Sequence, residues 1–491
     1  MPHTRIGQLV AQRWRGMCQC RAYLLELIMC AVGVAGFALA YGGRAYVELF
    51  WGDETITADV IRLSTVDLVI NRYSAGHSPL YFLIAKAWMM AIASEGEFLL
   101  RVPSLVFMGL AGGLLASAAS RAWGIAAGLL LLTMWLTNSF IAYYSIEARP
   151  YALLVLFLAI TLWSATRLWL AKSQPPLRGL VAISILAPVF AAATMPLGAV
   201  AAIAMEACGI CKMSDDPFAR FWRQRAFLSI TATLATIAVF MNWNRAASWI
   251  DEPVSMRTLG QIANNIYLND WYSARHGYLV LIASFAILLF AIRALQIAWR
   301  EPPVRFAAGL AVLCPAALVA LSTKASLMSP SYFIPAVPGL LVLVAAGVTN
   351  APGRKGWAAA AAAAILIMTL AFQSPPLARR FTPELQLALI AELKPGALTG
   401  GTSSWFVMKT LKYYLPRYTK LPAQISKIEK PLTAEDLPRG NRLYWLFDNF
   451  SMAGDAPVLC SYRLKTGNVL VLGRSSAALP AAMRNCAAVN P

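Results

Sequence analysis

The residues of this chain best placed for chemistry are the charged groups that stand apart from its basic clusters. Trp51-Gly52-Asp53-Glu54 sets two carboxylates side by side, able to serve as a general base, a ligand for Mg²⁺ or Mn²⁺, or a helix N-cap. Gly76-His77-Ser78-Pro79-Leu80-Tyr81-Phe82 leads a histidine into an apolar segment through a proline suited to a first helical turn. That histidine can donate to a phosphate or simply sit at an interface. Arg101, in Glu97-Phe98-Leu99-Leu100-Arg101-Val102-Pro103-Ser104, and Arg149, in Ser145-Ile146-Glu147-Ala148-Arg149-Pro150-Tyr151, can each hold an anion or pair with a loop carboxylate. A loop over residues 247–276 adds Trp249, Asp251, Glu252, Trp271, Arg275 and His276. Its aromatics can stack on a sugar or anchor a membrane interface.

These groups must be positioned by helices in a bilayer. Of 491 residues, 59% are hydrophobic and 13% charged, about half the charge of a soluble domain. Apolar blocks recur near residues 22–43, 103–120, 124–141, 150–170, 179–193, 196–211, 226–246, 277–293, 306–322, 332–349 and 357–372. Each is long enough, or nearly so, to cross a core of ~30 Å at 1.5 Å per residue. The formal charge of +19, from 42 basic and 23 acidic residues, sits in short clusters between these blocks. That distribution marks topology and argues against a nucleic-acid partner.

Arg5, Arg13, Arg15 and Arg21 precede the first block, so the N-terminus is expected in the cytoplasm with 22–43 as an uncleaved anchor. Basic residues then recur in every second linker, which puts Arg101 and Arg149 on the outer side against the usual charge bias. Residues 79–93 resist the count, being about 15 residues long with Lys86 central. They are expected to be re-entrant, interfacial, or one of a pair of missed crossings. The fold class expected is therefore an all-α polytopic membrane protein of about eleven to thirteen spans over residues 1–372.

From residue 373 the character changes, with more charge and proline and shorter apolar runs. Strands are expected at 443–447 and 469–472, a hairpin at 461–472, and an amphipathic helix at 383–393. A small α/β domain on the outer face, residues 373–491, follows. Cys460 and Cys486 lie in this part, where an oxidising compartment could join them. Cys18, Cys20, Cys30, Cys208, Cys211 and Cys314 lie in or beside spans and lack the company a metal site needs.

Taken in order, Asp53-Glu54, His77-Ser78-Pro79-Leu80-Tyr81, Arg101-Val102-Pro103-Ser104, Glu147-Ala148-Arg149-Pro150-Tyr151 and Tyr332-Phe333-Ile334-Pro335-Ala336-Val337-Pro338 resemble the GT-C membrane glycosyltransferases. The branch is that of the protein O-mannosyltransferases and the aminoarabinose lipid A transferases. Two departures stand out: Ser331 occupies a place where members commonly have arginine, with Lys324 the nearest cation, and His77-Ser78 replaces an acidic and a basic residue.

The resemblance implies a polyprenyl-phosphate sugar donor and a lipid, glycan or protein acceptor whose hydroxyl reacts on the outer face of an inner (plasma) membrane. The residues can be matched to the needs of an inverting single displacement. Asp53 would take the acceptor proton with Glu54 in support. Arg149, Arg101, Lys324 and His77 would meet the leaving phosphate. A flippase or transporter, an O-antigen ligase or polymerase, and a non-catalytic scaffold are the rival readings. The first of these would show repeated halves and midplane charges, and neither is visible in the sequence.

Overall fold

The computed structural model describes residues 3–47, 50, 52–94, 96–171, 178–211, 217–240, 255–267, 277–297, 299–322, 329–350, 398–402, 423–428, 444–447, 458–464 and 467–472, with Lys430, Leu432 and Glu435. The chain divides into two compact units, one from Met1–Tyr46 and Leu63–Pro376, the other from Val47–Arg62 and Leu377–Pro491.

The first unit is helical. It opens with α1 (His3–Val47), leaves for the other unit, and returns with α3 (Thr65–Ser74), α4 (Leu80–Ile92) and α5 (Glu97–Trp123). Next come α6 (Ile125–Thr137), α7 (Ser139–Ser145), α8 (Tyr151–Leu170), α9 (Arg178–Thr194), α10 (Pro196–Gly209) and α11 (Pro217–Phe240). After α12 (Met256–Tyr267) and α13 (Gly277–Ile297), one long span is built from α14 (Pro302–Ala308), a π-helical turn (Gly309–Leu313) and α15 (Cys314–Ser322). A 3₁₀ turn (Pro330–Phe333) then leads into α16 (Ala336–Thr349).

Among the described residues, four stretches are long and apolar enough to cross a membrane: Tyr23–Tyr46, Glu97–Trp123, Tyr151–Leu170 and Pro302–Ser322. The pair α6 and α7, bent by 65°, makes a fifth if taken as one span. Several expected blocks appear as shorter apolar helices, and block 357–372 lies outside the described residues. The resistant segment becomes α4, whose 13 residues reach roughly 20 Å, short of a full crossing. Its Lys86 ammonium donates to the Leu63 carbonyl at 2.6 Å, which gives a charge in an apolar helix a fixed acceptor.

Small residues set the packing of α1 on α5. A Cβ added at Gly109 or Gly113 would run into the α1 backbone at Val34 or Cys30, and one at Gly33 into the Gly109 carbonyl. The two backbones therefore meet through a Gly-xxx-Gly step, the close approach that helices use where lipid removes the hydrophobic drive. Gly113→Leu is expected to push α1 off α5 and to lower the yield of folded, detergent-extracted protein several-fold against a Gly42→Leu control, whose Cβ meets open space. Equal yields of monodisperse protein by size-exclusion chromatography would refute this.

The second unit contains α2 (Gly52–Val60) and a five-stranded mixed sheet. Its strands are β1 (Leu398–Thr402), β2 (Ala423–Lys427), β3 (Tyr444–Phe447), β4 (Val458–Leu464) and β5 (Gly467–Leu472), in the order β2-β1-β3-β5-β4. β1 runs parallel to β2 and β3, while β5 runs antiparallel to β3 and β4. The strands expected near 443–447 and 469–472 are β3 and β5, and the expected hairpin is β4–β5, pairing Ser461 with Leu470. The helix expected at 383–393 and Cys486 lie outside the described residues.

Candidate active site

α3 begins with Ser64, whose hydroxyl oxygen accepts from the Asp67 amide at 3.1 Å while the hydroxyl donates to the Asp67 carboxylate at 2.7 Å. This reciprocal cap fixes where the helix starts. Its last turn carries Arg72, which is buried, lies 5.0 Å over the Phe82 ring of α4, and donates to the Asn71 side-chain oxygen through Nε at 3.1 Å and Nη2 at 2.5 Å. Gly76 then turns the chain at φ 74°, a left-handed conformation that glycine adopts without strain. That turn lets the His77 amide donate to the Arg72 carbonyl at 2.8 Å, so the arginine and the histidine are held by one short piece of backbone.

The second wall comes from the turn between α7 and α8. Asn138 breaks the α6–α7 pair, its side-chain oxygen accepting from the Ile141 amide at 2.9 Å as an N-cap. The chain then reaches Ile146-Glu147-Ala148-Arg149, where the Arg149 amide donates to the Glu147 carbonyl at 2.9 Å. Ser104 of α5 donates to the same carbonyl at 2.6 Å, pinning the turn to a second helix. Tyr144 and Tyr151 pack at 4.6 Å between ring centroids and both are buried.

Arg149 and Arg72 converge electrostatically on His77. Burial, first, and then the two guanidinium charges push the histidine down to about 3. His77 is therefore neutral near pH 7 and enters this site as an N–H donor, not as a cation. Two guanidinium groups of like charge thus act on one neutral imidazole.

The residues that stood out in the sequence divide clearly. His77 and Arg149 come together, joined by Arg72, which lies outside the motifs. Arg101 makes a contact of another kind. It is fully buried, and its Nη1 donates to the Ala45 carbonyl near the end of α1 at 3.0 Å, where a cation suits the negative end of the helix. Lys324, Trp249, Asp251, Glu252, Trp271, Arg275 and His276 lie outside the described residues. Within the loop 247–276 the described part is α12, amphipathic, with Ile262 and Ile266 buried and Met256 exposed. Its Tyr267 donates to the Ala311 carbonyl at 2.5 Å, in the π-helical turn whose widened register leaves carbonyls seeking partners.

Asp53 and Glu54 occupy the first turn of α2 in the second unit. Glu54 is fully buried and Asp53 is half-buried. The Gly52 and Asp53 carbonyls accept from Thr55 at 2.7 Å and Thr57 at 3.3 Å. Consecutive helical residues point about 100° apart, so the two carboxylates leave the helix in different directions. Among the described residues no three His, Cys, Asp or Glu side chains group as metal ligands. A site for Mg²⁺ or Mn²⁺ needs about six oxygens, and no step below is routed through a metal.

Sequence comparison with known families and with characterised proteins finds no match. Structural comparison does find a shared fold. Two crystal structures of ArnT from Cupriavidus metallidurans share it, one in the apo state and one bound to undecaprenyl phosphate, each with a TM-score of 0.58 at 13% identity. The likeness covers 92% of this chain and 98% and 99%, respectively, of the ArnT chains.

Proposed function

We propose that this chain transfers a sugar from a polyprenyl-phosphate donor to an acceptor hydroxyl on the outer face of the plasma membrane, with inversion at the anomeric carbon. The observation that carries the reading is the meeting of Arg72, Arg149 and His77 in a chain that shares the fold of a protein solved with undecaprenyl phosphate. In the reaction the acceptor oxygen forms a bond to the anomeric carbon as the bond from that carbon to the phosphate oxygen breaks. The acceptor proton passes to the Asp53 carboxylate. The electron pair of the broken bond stays on the departing polyprenyl phosphate. Arg149 and Arg72 offset its growing charge through guanidinium N–H donors, and His77 adds a neutral one. A lipid donor enters sideways from the bilayer, which accounts for a catalyst built among spans.

The same proposal takes the chain to have eleven to thirteen crossings, a cytoplasmic N-terminus and an outer C-terminal domain. The sugar, and whether the acceptor is lipid, glycan or protein, are to be read from the product. Neither a flippase nor an O-antigen polymerase is favoured by any feature of the fold.

Arg149→Ala is expected to lower kcat/KM for the polyprenyl-phosphate donor by roughly 10–150-fold, the worth of one charge-assisted hydrogen bond of about 1.5–3 kcal/mol. Arg72→Ala should fall in the same range, and the double variant should lose less than the product of the two, since both act on one phosphate. Unchanged kinetics across a donor titration in both single variants would remove the phosphate role.

A further inference from the structure

A second cationic cluster lies at the end of α5 and α8 opposite Arg101 and Arg149. Glu26 of α1, buried, is met from one side by Arg121 in the last turn of α5, Nη2 to Oε1 at 2.8 Å, and from the other by Arg167 in the last turn of α8, Nη1 to Oε2 at 3.4 Å. Trp163 of α8 donates its indole N–H to Glu26 Oε1 at 3.1 Å. The Arg167 guanidinium also lies over the rings of Tyr23 at 5.0 Å and Trp163 at 5.3 Å.

Donors outnumber acceptors here. Two guanidinium groups and one indole bring about eleven N–H donors to a single carboxylate with roughly four acceptor positions. The excess is felt at Arg121, whose Nε is buried with no hydrogen-bond partner among the described residues. One negative charge against two positive leaves the partly buried cluster at net +1, with Arg121 18% and Arg167 15% exposed, and an unmatched cation shielded from water is costly.

The surroundings say what supplies the missing acceptors. Tyr23, Leu24, Leu27 and Leu170, which flank the cluster in sequence on α1 and α8, are exposed large apolar or aromatic side chains, the surface that lipid chains cover in a membrane protein. Tyrosine and tryptophan beside arginine at the ends of spans are the residues of the headgroup layer. After α8 the sequence holds Lys172 and Arg178, which raise the local concentration of anions.

We propose that Arg121, Arg167 and Trp163 form a binding site for the phosphate of an anionic phospholipid headgroup, with Glu26 as the internal counter-charge that shares their donors with it. A lipid of net charge −1 neutralises the cluster, whereas a zwitterionic one carries its own ammonium and does not. The site is independent of the transfer reaction and holds α1, α5 and α8 together from the lipid side.

The test uses the full-length protein purified in a neutral detergent and titrated in turn with phosphatidylglycerol, phosphatidylcholine and inorganic phosphate. Bound lipid is counted by native mass spectrometry and stability followed by thermal unfolding. Wild type is expected to retain phosphatidylglycerol at least tenfold more tightly than phosphatidylcholine and to unfold at a higher temperature in its presence. Arg167→Gln should weaken that retention roughly tenfold, the worth of one charge-assisted contact. Glu26→Gln should strengthen it, because it removes the competing acceptor. Opposite signs for these two variants separate a lipid site from a general loss of packing, which would shift both the same way. Arg167→Lys, retaining the charge, keeps most of the phosphatidylglycerol preference and serves if Arg167→Gln does not fold. Equal retention of the two lipids, same-sign effects of the two variants, or protection by inorganic phosphate matching that of phosphatidylglycerol would each overturn the assignment.

Discussion

Asp53→Asn is expected to cut sugar transfer by roughly 10²–10⁴-fold, the usual contribution of a general base, with no fall in the amount of protein in the membrane. Asparagine keeps the size and the hydrogen-bonding reach of the side chain and removes only its capacity to take a proton. Asp53 is half-buried in the first turn of α2, where the exposed amides of a helix start favour a negative charge. Glu54, its neighbour, is fully buried and so provides the contrast: its replacement should show first as a loss of folded protein. The measurement is mass spectrometry of envelope glycolipids and glycoproteins from a strain lacking the gene, complemented with wild-type or Asp53→Asn protein. Restoration of one missing sugar by wild type alone would name sugar and acceptor together. Equal restoration by both would end the case for Asp53, and accumulation of a lipid-linked precursor with no sugar lost would turn attention to a flippase.

How much of this was readable in the sequence follows from the range of each interaction. Apolar blocks are local, and nearly every one in the described residues became a helix. Period-two alternation and a turn signal are local too, and β3, β4 and β5 lie where those signals placed them. The site was legible only in part, because His77 and Arg149 meet across some seventy residues and the charge state of the first depends on the second. Arg72 escaped notice because it ends an ordinary polar helix. Yet the rule that drew attention to Arg101 and Arg149, an arginine outward of the bilayer with nothing to gain in topology, applies equally to Arg72. For Arg101 the same rule pointed to an anion, and the structure shows its Nη1 satisfied by the Ala45 carbonyl. Side-chain type and expected side of the membrane do not separate a cation that acts on a buried histidine from one that completes a helix end.

Glu206 was the clearest signal passed over, a carboxylate inside the apolar block 196–211 that had to find a cation. That cation is Arg225, which reads in sequence as one more topogenic charge. The two side chains are 0% and 1% exposed and form a bidentate pair, Nη1 to Oε2 at 2.7 Å and Nη2 to Oε1 at 2.6 Å. Nε and Nη2 also donate to the Ser184 hydroxyl at 2.9 Å and carbonyl at 2.8 Å, and the guanidinium lies between the Trp222 and Phe306 rings at 5.1 and 5.5 Å. One arginine thus joins α9, α10, α11 and α14. Arg225→Met is expected to cost about 3–5 kcal/mol, because it strands the Glu206 carboxylate in a dry interior. Pairing it with Glu206→Leu should recover most of that loss, since an apolar pair of similar volume has no charge to desolvate. Thermal unfolding of the four proteins in one detergent, arranged as a double-mutant cycle, reads the coupling directly. A single variant that costs less than about 1 kcal/mol would show that the pair contributes little, and a double variant as unstable as the sum of the singles would show that the arginine acts through Ser184 and the two rings rather than through its charge.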